Sequence, residues 1–189
     1  MRKLRAGASL GFAFALLVAG APLAAFEGRG GPARAAAGVP SDWERRQAER
    51  EFREAAVALP PYFREEDLVE FAVAPTTRFR FYVDRGSLSV GEDGVVRYTL
   101  VARSPQGAQN VTYEGIRCRA GMHRVYALGQ PDRNWKPVTL DWQPTDRLWV
   151  RVLRREYFCP MGLPVHDVAE ALDALRRGGH PERQRTEGR

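Results

Sequence analysis

The sequence predicts an α+β domain: mainly an antiparallel β-sheet or sandwich, with one amphipathic helix before it and another after it. Three observations lead to this prediction. Over residues 69–158, short runs alternate between apolar and polar residues with a period of two, and short turns separate most of them. Apolar residues recur at helical spacing over 48–59 and 165–175. No long helix intervenes between successive runs, so we expect the strands to pair as antiparallel neighbours.

The first 25 residues have the layout of a secretory signal peptide. Three basic residues precede an uncharged run over 6–26, and small residues allow cleavage after Ala25, which we prefer, or after Ala37. The most apolar part of this run is short for a bilayer span, so a transmembrane anchor is the weaker interpretation. After cleavage we expect no transmembrane anchor. Residues 26–40 contain little that could be buried, which predicts a flexible leader.

The first helix is predicted over 41–59. The letters SDWE form a capping box, in which the Ser41 hydroxyl accepts from the Glu44 amide and the Glu44 carboxylate accepts from the Ser41 amide. Behind the box, five apolar residues recur at helical spacing: Ala48, Phe52, Ala55, Ala56 and Leu59. Pro60 and Pro61 end the helix because neither has a backbone N–H to donate.

The strands follow the two prolines. The run RFRFYVD places Phe79, Phe81 and Val83 on one face and polar side chains on the other, which is typical of a half-buried antiparallel strand. The run SLSVGEDGVVRYTLVAR predicts two strands joined by a turn at residues 91–94. Further strands are predicted in VTYEGIRC (111–118), HRVYALG (123–129) and LWVRVLRREYF (148–158).

The last helix is predicted between Pro164 and Gly178, and glycine often ends helices. Its apolar residues recur at helical spacing: Val165, Val168, Ala169, Leu172 and Leu175. The single domain is therefore expected to run from Ser41 to Arg177. Residues 178–189 are expected to form a disordered tail.

The charge balance argues against a nucleic-acid partner. Removal of residues 1–25 takes away three of the 29 basic residues and none of the 23 acidic ones, so the formal net charge falls from +6 to +3. A nucleic-acid-binding protein would show a basic stripe interleaved with aromatic residues, whereas acidic and basic residues are mixed along this chain. We therefore expect no nucleic-acid binding.

The two cysteines, Cys118 and Cys159, each follow a predicted strand. Neither lies in a C-x-x-C motif, and two isolated cysteines do not make a zinc site on their own. In an exported protein an even count of two favours one disulfide, and free buried thiols are the alternative. A disulfide between these two residues, which are 41 positions apart, would stabilise the fold by roughly 4 kcal/mol in the chain-entropy model.

Four stretches resemble a known family: LPPY, DLVEF, EYFCP and the long block TRFRFYVDRGSLSVGEDGVVRYTLVARSPQGAQNVTYEGIRC. Over Leu59–Pro160 the chain is similar to the CNP1-like family of exported proteobacterial proteins. The resemblance implies a Gram-negative periplasmic or envelope setting, and both cysteines fall within the matching stretches. It carries no activity, cofactor or catalytic residue over to this chain.

The residues give no reason to propose a metal or a cofactor. His123, His166 and His180 have no spacing typical of a metal site. No serine lies in a G-x-S-x-G elbow, so no nucleophile is singled out. We therefore expect no metal, no cofactor and no catalytic residues.

Four carboxylates are candidates for a catalytic pair: Asp84, Glu92, Asp93 and Glu114. The sequence places Glu92 and Asp93 in a turn. It places Asp84 and Glu114 at solvent-facing strand positions.

The best candidate binding residues are aromatic. Trp135, Trp142 and Trp149 alternate with acidic residues, and Trp135, Trp142 and Asp141 predict a groove in which sugar faces stack on rings while carboxylates bind hydroxyls. The competing explanation is structural, because Trp142 would also pin a long loop onto the sheet and Trp149 alternates with its neighbours on a predicted strand.

The sequence thus predicts a non-catalytic, envelope-associated interaction protein whose partner is an envelope protein or a cell-wall component. The alternative is a binding module for cell-wall glycan or peptide that uses the tryptophan groove. A hydrolase comes third.

Overall fold

The structure, a computed structural model, describes residues 41–43, 46 and 52–187. The predicted signal peptide, its cleavage points and the leader lie outside these residues. Within the described residues, no helix is long and apolar enough to cross a membrane.

A single antiparallel sheet forms the centre of the described chain, as the sequence predicts. Its seven strands are β1 (Leu68–Phe71), β2 (Arg80–Val90), β3 (Val95–Arg103), β4 (Gln109–Arg117), β5 (Met122–Gly129), β6 (Trp135–Pro137) and β7 (Gln143–Pro144). The first six follow one another in chain order across the sheet, and β7 pairs with β5 beside its start. Short turns join β2 to β5 because each strand returns directly beside its predecessor. The described strands thus form one sheet rather than a sandwich.

The turn from β2 to β3 lies at residues 91–94, where it was predicted. Gly94 has a φ of +71°, a conformation that favours glycine. The Asp93 carboxylate accepts from the Val95 amide at 3.2 Å and from the Arg97 guanidinium at 2.6 Å. These bonds fix the register of β3 beside β2. Val96, Leu100 and the alternate residues of β3 then lie on one face of the sheet.

That face, which we call the helical face, carries the main core. Its apolar residues on β2 and β3 include Phe81, Val83 and Tyr98, and they pack against helices that follow the sheet in sequence. These helices are α1 (Leu148–Val152), which continues as a π-helix over Leu153–Phe158, and α2 (Val168–Arg177). A last helix, α3 (Pro181–Glu187), follows them in sequence.

The run LWVRVLRREYF is helical, so the prediction of a strand there is wrong. Its residues also satisfy a helical period, because Val150 is buried and further buried residues follow it after three, seven and eight positions. These are Leu153, Tyr157 and Phe158. Packing of this stripe onto the sheet decides between two periods that the letters alone allow.

The predicted C-terminal amphipathic helix is confirmed as α2. The Asp167 side chain accepts from the Glu170 amide at 2.8 Å at its start, and Gly178, with a φ of +73°, ends it. The disordered tail predicted from residue 178 is wrong for residues 178–187. His180 is only 4% exposed, its Nε2 lies 2.9 Å from the Glu170 carboxylate, and α3 follows it.

The N-terminal helix predicted over 41–59 is absent from residues 52–59, which have no regular secondary structure. Asp42, Trp43 and Arg46 have helical backbone, and the rest of that prediction lies outside the described residues. Residues 52–63 instead cross the second face of the sheet, and we call them the strap and that face the strap face. Tertiary contacts override helix propensity here, since the Ala55 amide donates to Asp93 at 2.9 Å.

The predicted disulfide is present between Cys118 and Cys159, with Cα atoms 5.3 Å apart. Cys118 directly follows β4 as predicted, but Cys159 follows the π-helix rather than a strand. The bridge therefore joins the sheet to the helices that cover it.

Candidate functional site

A pocket of about 590 Å³ lies on the helical face, at the end of the sheet that the helices leave uncovered. Strands β2 to β5 form its floor, and the β1–β2 loop and the start of α1 form its walls. Its apolar lining includes Val73, Phe79, Phe81, Leu100, Ala102, Leu128, Leu148 and Trp149. This volume falls within the range usual for small-molecule sites.

Exposed apolar side chains converge on the rim of the pocket. Phe79, Leu128 and Leu148 are 42%, 37% and 40% exposed, although large apolar side chains are buried throughout the core. They come from three separate parts of the chain: the β1–β2 loop, the end of β5 and the start of α1. A concave apolar surface built from three elements is typical of a binding site.

The floor carries a buried carboxyl, Glu114, which is 1% exposed. Glu114 lies opposite Tyr98 in the sheet and accepts from its hydroxyl at 3.1 Å, and it also accepts from the Thr112 hydroxyl at 2.7 Å. Burial raises the pKa of Glu114, while the two hydroxyl groups and the nearby Arg147 guanidinium act in the opposite direction. The prediction that Glu114 faces solvent is wrong, because the alternation of β4 places it on the helical face beside Ile116.

The mouth carries a cation, the exposed Arg147. Its guanidinium lies 5.7 Å from the centre of the Trp149 ring and makes no hydrogen bond or ion pair with another described residue. The Trp149 ring stacks on Phe81 with ring centres 5.8 Å apart. Its buried Nε1–H group finds no acceptor among the described residues. The pocket therefore combines apolar walls with one exposed guanidinium at its mouth.

The predicted tryptophan groove lies on the opposite face of the sheet from this pocket. Trp135 is on β6, its Nε1 donates to the Pro60 carbonyl at 2.8 Å, and its ring lies 5.1 Å from Tyr62. Trp142 meets the Phe52 ring edge-on at 5.8 Å. The strap thus contacts both tryptophans, and Asp141 beside them is exposed.

Trp135 and Trp142 therefore share the strap face, whereas Trp149 lies on the helical face in α1 and not on a strand as predicted. The faces that would stack on a sugar are in contact with the chain's own strap. The roles of Trp135, Trp142 and Asp141 in binding stay a prediction.

The strap is also held by charge. The Glu54 carboxylate accepts from Arg124 at 2.8 Å and from the Tyr126 hydroxyl at 2.7 Å, and it lies 3.8 Å from Arg97. Burial raises the pKa of Tyr126, and its hydrogen bond to Glu54 raises it further. Glu54 thereby anchors the middle of the strap to β3 and β5.

Of the other three candidate carboxylates, two accept hydrogen bonds within the fold and one is exposed. Asp84 is buried at the irregularity in β2, where its carboxylate accepts from the Gly86 amide at 3.2 Å, so its predicted solvent exposure is wrong. The Asp93 carboxylate accepts hydrogen bonds from Val95 and Arg97 at the β2–β3 turn. Glu92 is exposed in the same turn.

Two of the three histidines share one carboxylate, and the third lies on a different element. His123 is buried on β5, where burial lowers its pKa, and His166 and His180 bind the two oxygens of Glu170. Among the described residues, no group of three or more histidine, cysteine, aspartate or glutamate side chains could hold a metal ion.

Sequence reasoning missed the pocket although one signal was present. Glu114 and Thr112 alternate with Ile116 along β4, so two polar residues occupy positions of the inner face. Such polar residues within a buried stripe are a recognised sign of a site. Because the sequence analysis places Glu114 at a solvent-facing position, the two polar residues do not stand out there as part of a buried face.

Comparison with known proteins gives a family and no individual relative. The model of the CNP1-like family matches residues 47–176, which covers the strap, the sheet and the helices through most of α2. No curated protein and no solved structure matches the chain significantly.

Proposed function

The chain belongs to the CNP1-like family, and we propose that it is an exported, non-catalytic protein of the Gram-negative periplasm. In this proposal it binds a component of the cell envelope through the pocket on its helical face. The observation that carries the proposal is the convergence of Phe79, Leu128 and Leu148 on the rim of one concave, uncovered part of the sheet.

Two features support export. The first 25 residues have the basic and apolar segments of a secretory signal peptide. The chain also carries a disulfide between its only two cysteines, and such bridges persist in oxidising compartments such as the periplasm.

The chemistry of the lining favours binding over catalysis. The described residues that line the pocket include one carboxyl and one guanidinium but no serine, cysteine, histidine or lysine. The carboxyl of Glu114 is engaged by two hydroxyl groups of the fold. A pocket of this composition offers shape and apolar area rather than a nucleophile paired with a base.

The proposal favours the helical face over the tryptophan groove as the binding surface. A ligand at Trp135 and Trp142 would have to displace the strap, whose contacts include the hydrogen bond from Trp135 to Pro60 and the three polar contacts of Glu54. A ligand in the pocket displaces no described residue.

Crosslinking in intact cells tests this proposal. A photo-crosslinking phenylalanine analogue replaces Leu128 at the rim, and in a matched control it replaces Leu140, which is 42% exposed and lies outside the pocket lining. We expect a reproducible adduct from position 128 that position 140 does not give.

A second variant makes the test specific to the pocket. Adding Leu148→Glu places a charge on the rim and is expected to abolish the adduct at position 128. Identical adducts at both positions, or an adduct that Leu148→Glu leaves unchanged, would refute the pocket as the binding surface.

A further inference from the structure

We infer that the ligand of the pocket is a single-chain amphiphile that ends in a carboxylate, such as a free fatty acid. This inference rests on the proposed function and names the chemical class that the pocket accepts. The acyl chain lies against the apolar walls, and the carboxylate binds Arg147 at the mouth.

Charge complementarity favours an anionic head group. The Arg147 guanidinium is exposed beside the pocket and has no ion-pair partner among the described residues. A guanidinium presents paired N–H donors that fit a carboxylate with two parallel hydrogen bonds. A cationic head group would be repelled by Arg147, since the one carboxyl of the described lining, Glu114, lies buried on the floor.

The apolar walls favour an acyl chain over a peptide. The backbone groups of the floor are paired within the sheet, between β2 and β3, β3 and β4, and β4 and β5. A peptide placed on this floor would bury amide groups, and the lining offers them only the side chains of Thr77, Gln109, Asn110, Thr112 and Gln130. An acyl chain carries no such groups.

The experiment measures binding by calorimetry with the exported chain, purified with its disulfide intact. The probes are octanoate, decanoate and dodecanoate below their micelle concentrations, with decanol and decyltrimethylammonium for comparison. We expect decanoate to bind at least tenfold more tightly than decanol. Each two added methylene groups should tighten binding roughly tenfold until the pocket is filled.

Arg147→Gln tests the head group. This variant is expected to bind decanoate and decanol equally, and its retained decanol binding shows that it folds. Arg151→Gln is the matched control, since Arg151 is exposed one turn further along the same helix, outside the pocket lining. It should keep the preference for decanoate.

Three results would overturn this inference: equal binding of decanoate and decanol by the unaltered protein, tighter binding of decyltrimethylammonium, or an unchanged decanoate preference in Arg147→Gln. If any of these occurs while the pocket-specific adduct at position 128 persists, the ligand class is wrong and the proposed function stands. Loss of the adduct as well refutes both.

Discussion

At the scale of single residues, Glu114 is the most informative position in the chain. It occupies an inner position of the sheet, accepts two hydroxyl hydrogen bonds and has a pKa raised above its ordinary value of 4.5 by burial. A buried carboxyl of this kind favours folding only while it is protonated. Its contribution is complete below about pH 4.5 and is lost as the pH rises through the pKa of the folded state.

Glu114→Gln is therefore expected to gain stability relative to the unaltered protein as the pH rises from 4 to 8. Glutamine keeps the size of the side chain and can still accept a hydrogen bond, but it does not ionise. The measurement is the free energy of unfolding in urea for both proteins across this range. Parallel pH curves would contradict the prediction.

Glu70→Gln serves as the control with the opposite sign. The hydrogen bonds from Arg80 lower the pKa of Glu70, so its contribution to stability is present above about pH 4.5 and is lost as the pH falls. This variant should lose stability relative to the unaltered protein at neutral pH and match it in acid.

At the scale of elements, the strap shows how tertiary contacts decide local structure. Residues 52–59 carry a helical spacing of apolar residues, yet they cross the sheet without forming a helix. Phe52 packs against Trp142, Glu54 binds β5, and Pro60 accepts from Trp135. These contacts hold residues 52–60 near both ends, although the segment has no regular secondary structure.

Glu54→Gln is expected to loosen the strap. The change weakens the charged hydrogen bonds to Arg124 and Tyr126, each worth about 1.5–3 kcal/mol at most. We expect a loss of about 1–3 kcal/mol in the free energy of unfolding and faster amide hydrogen exchange over residues 52–59.

Glu92→Gln is the matched control for this change, because Glu92 is an exposed turn residue close to Asp93. It should leave exchange in the strap unchanged. Equal exchange rates in Glu54→Gln and the unaltered protein would show that Glu54 does not anchor the strap.

The elements also show what the sequence could and could not predict. The alternation in 78–103, the turn at 91–94 and α2 were predicted because each follows from a strong local period or from residues that favour turns and caps. The run 148–158 was mistaken for a strand because its apolar residues satisfy two periods, and only contact with the sheet selects one. Glu114 was misassigned because its burial depends on which face the helices cover.

At the scale of the whole molecule, the disulfide joins the sheet to its helical layer. Cys118 and Cys159 are 41 positions apart, and the segment between them includes β5, β6, β7 and α1. Closing this loop restricts the unfolded chain far more than the folded one. The bridge thereby supports the helices that form one wall of the pocket.

The double variant Cys118→Ser with Cys159→Ser is expected to lose roughly 4 kcal/mol in the free energy of unfolding. The unaltered protein in a reducing buffer should unfold at the same urea concentration as this variant. Alkylation of two free thiols in protein taken directly from its native compartment under non-reducing conditions would contradict the bridge.

The two faces of the sheet have different roles in this account: the strap covers one, and the pocket opens on the other. Three of the four tryptophans of the chain report on these faces, since Trp135 and Trp142 contact the strap while Trp149 lines the pocket. Their indole N–H groups give separate signals in nitrogen NMR spectra, which tryptophan-to-phenylalanine variants assign.

The most direct measurement of the central claim is a titration of the labelled protein with solubilised cell-envelope extract. The account predicts that the Trp149 signal shifts while the Trp135 and Trp142 signals stay in place. Shifts at Trp135 and Trp142 with an unchanged Trp149 signal would place binding on the strap face and contradict it.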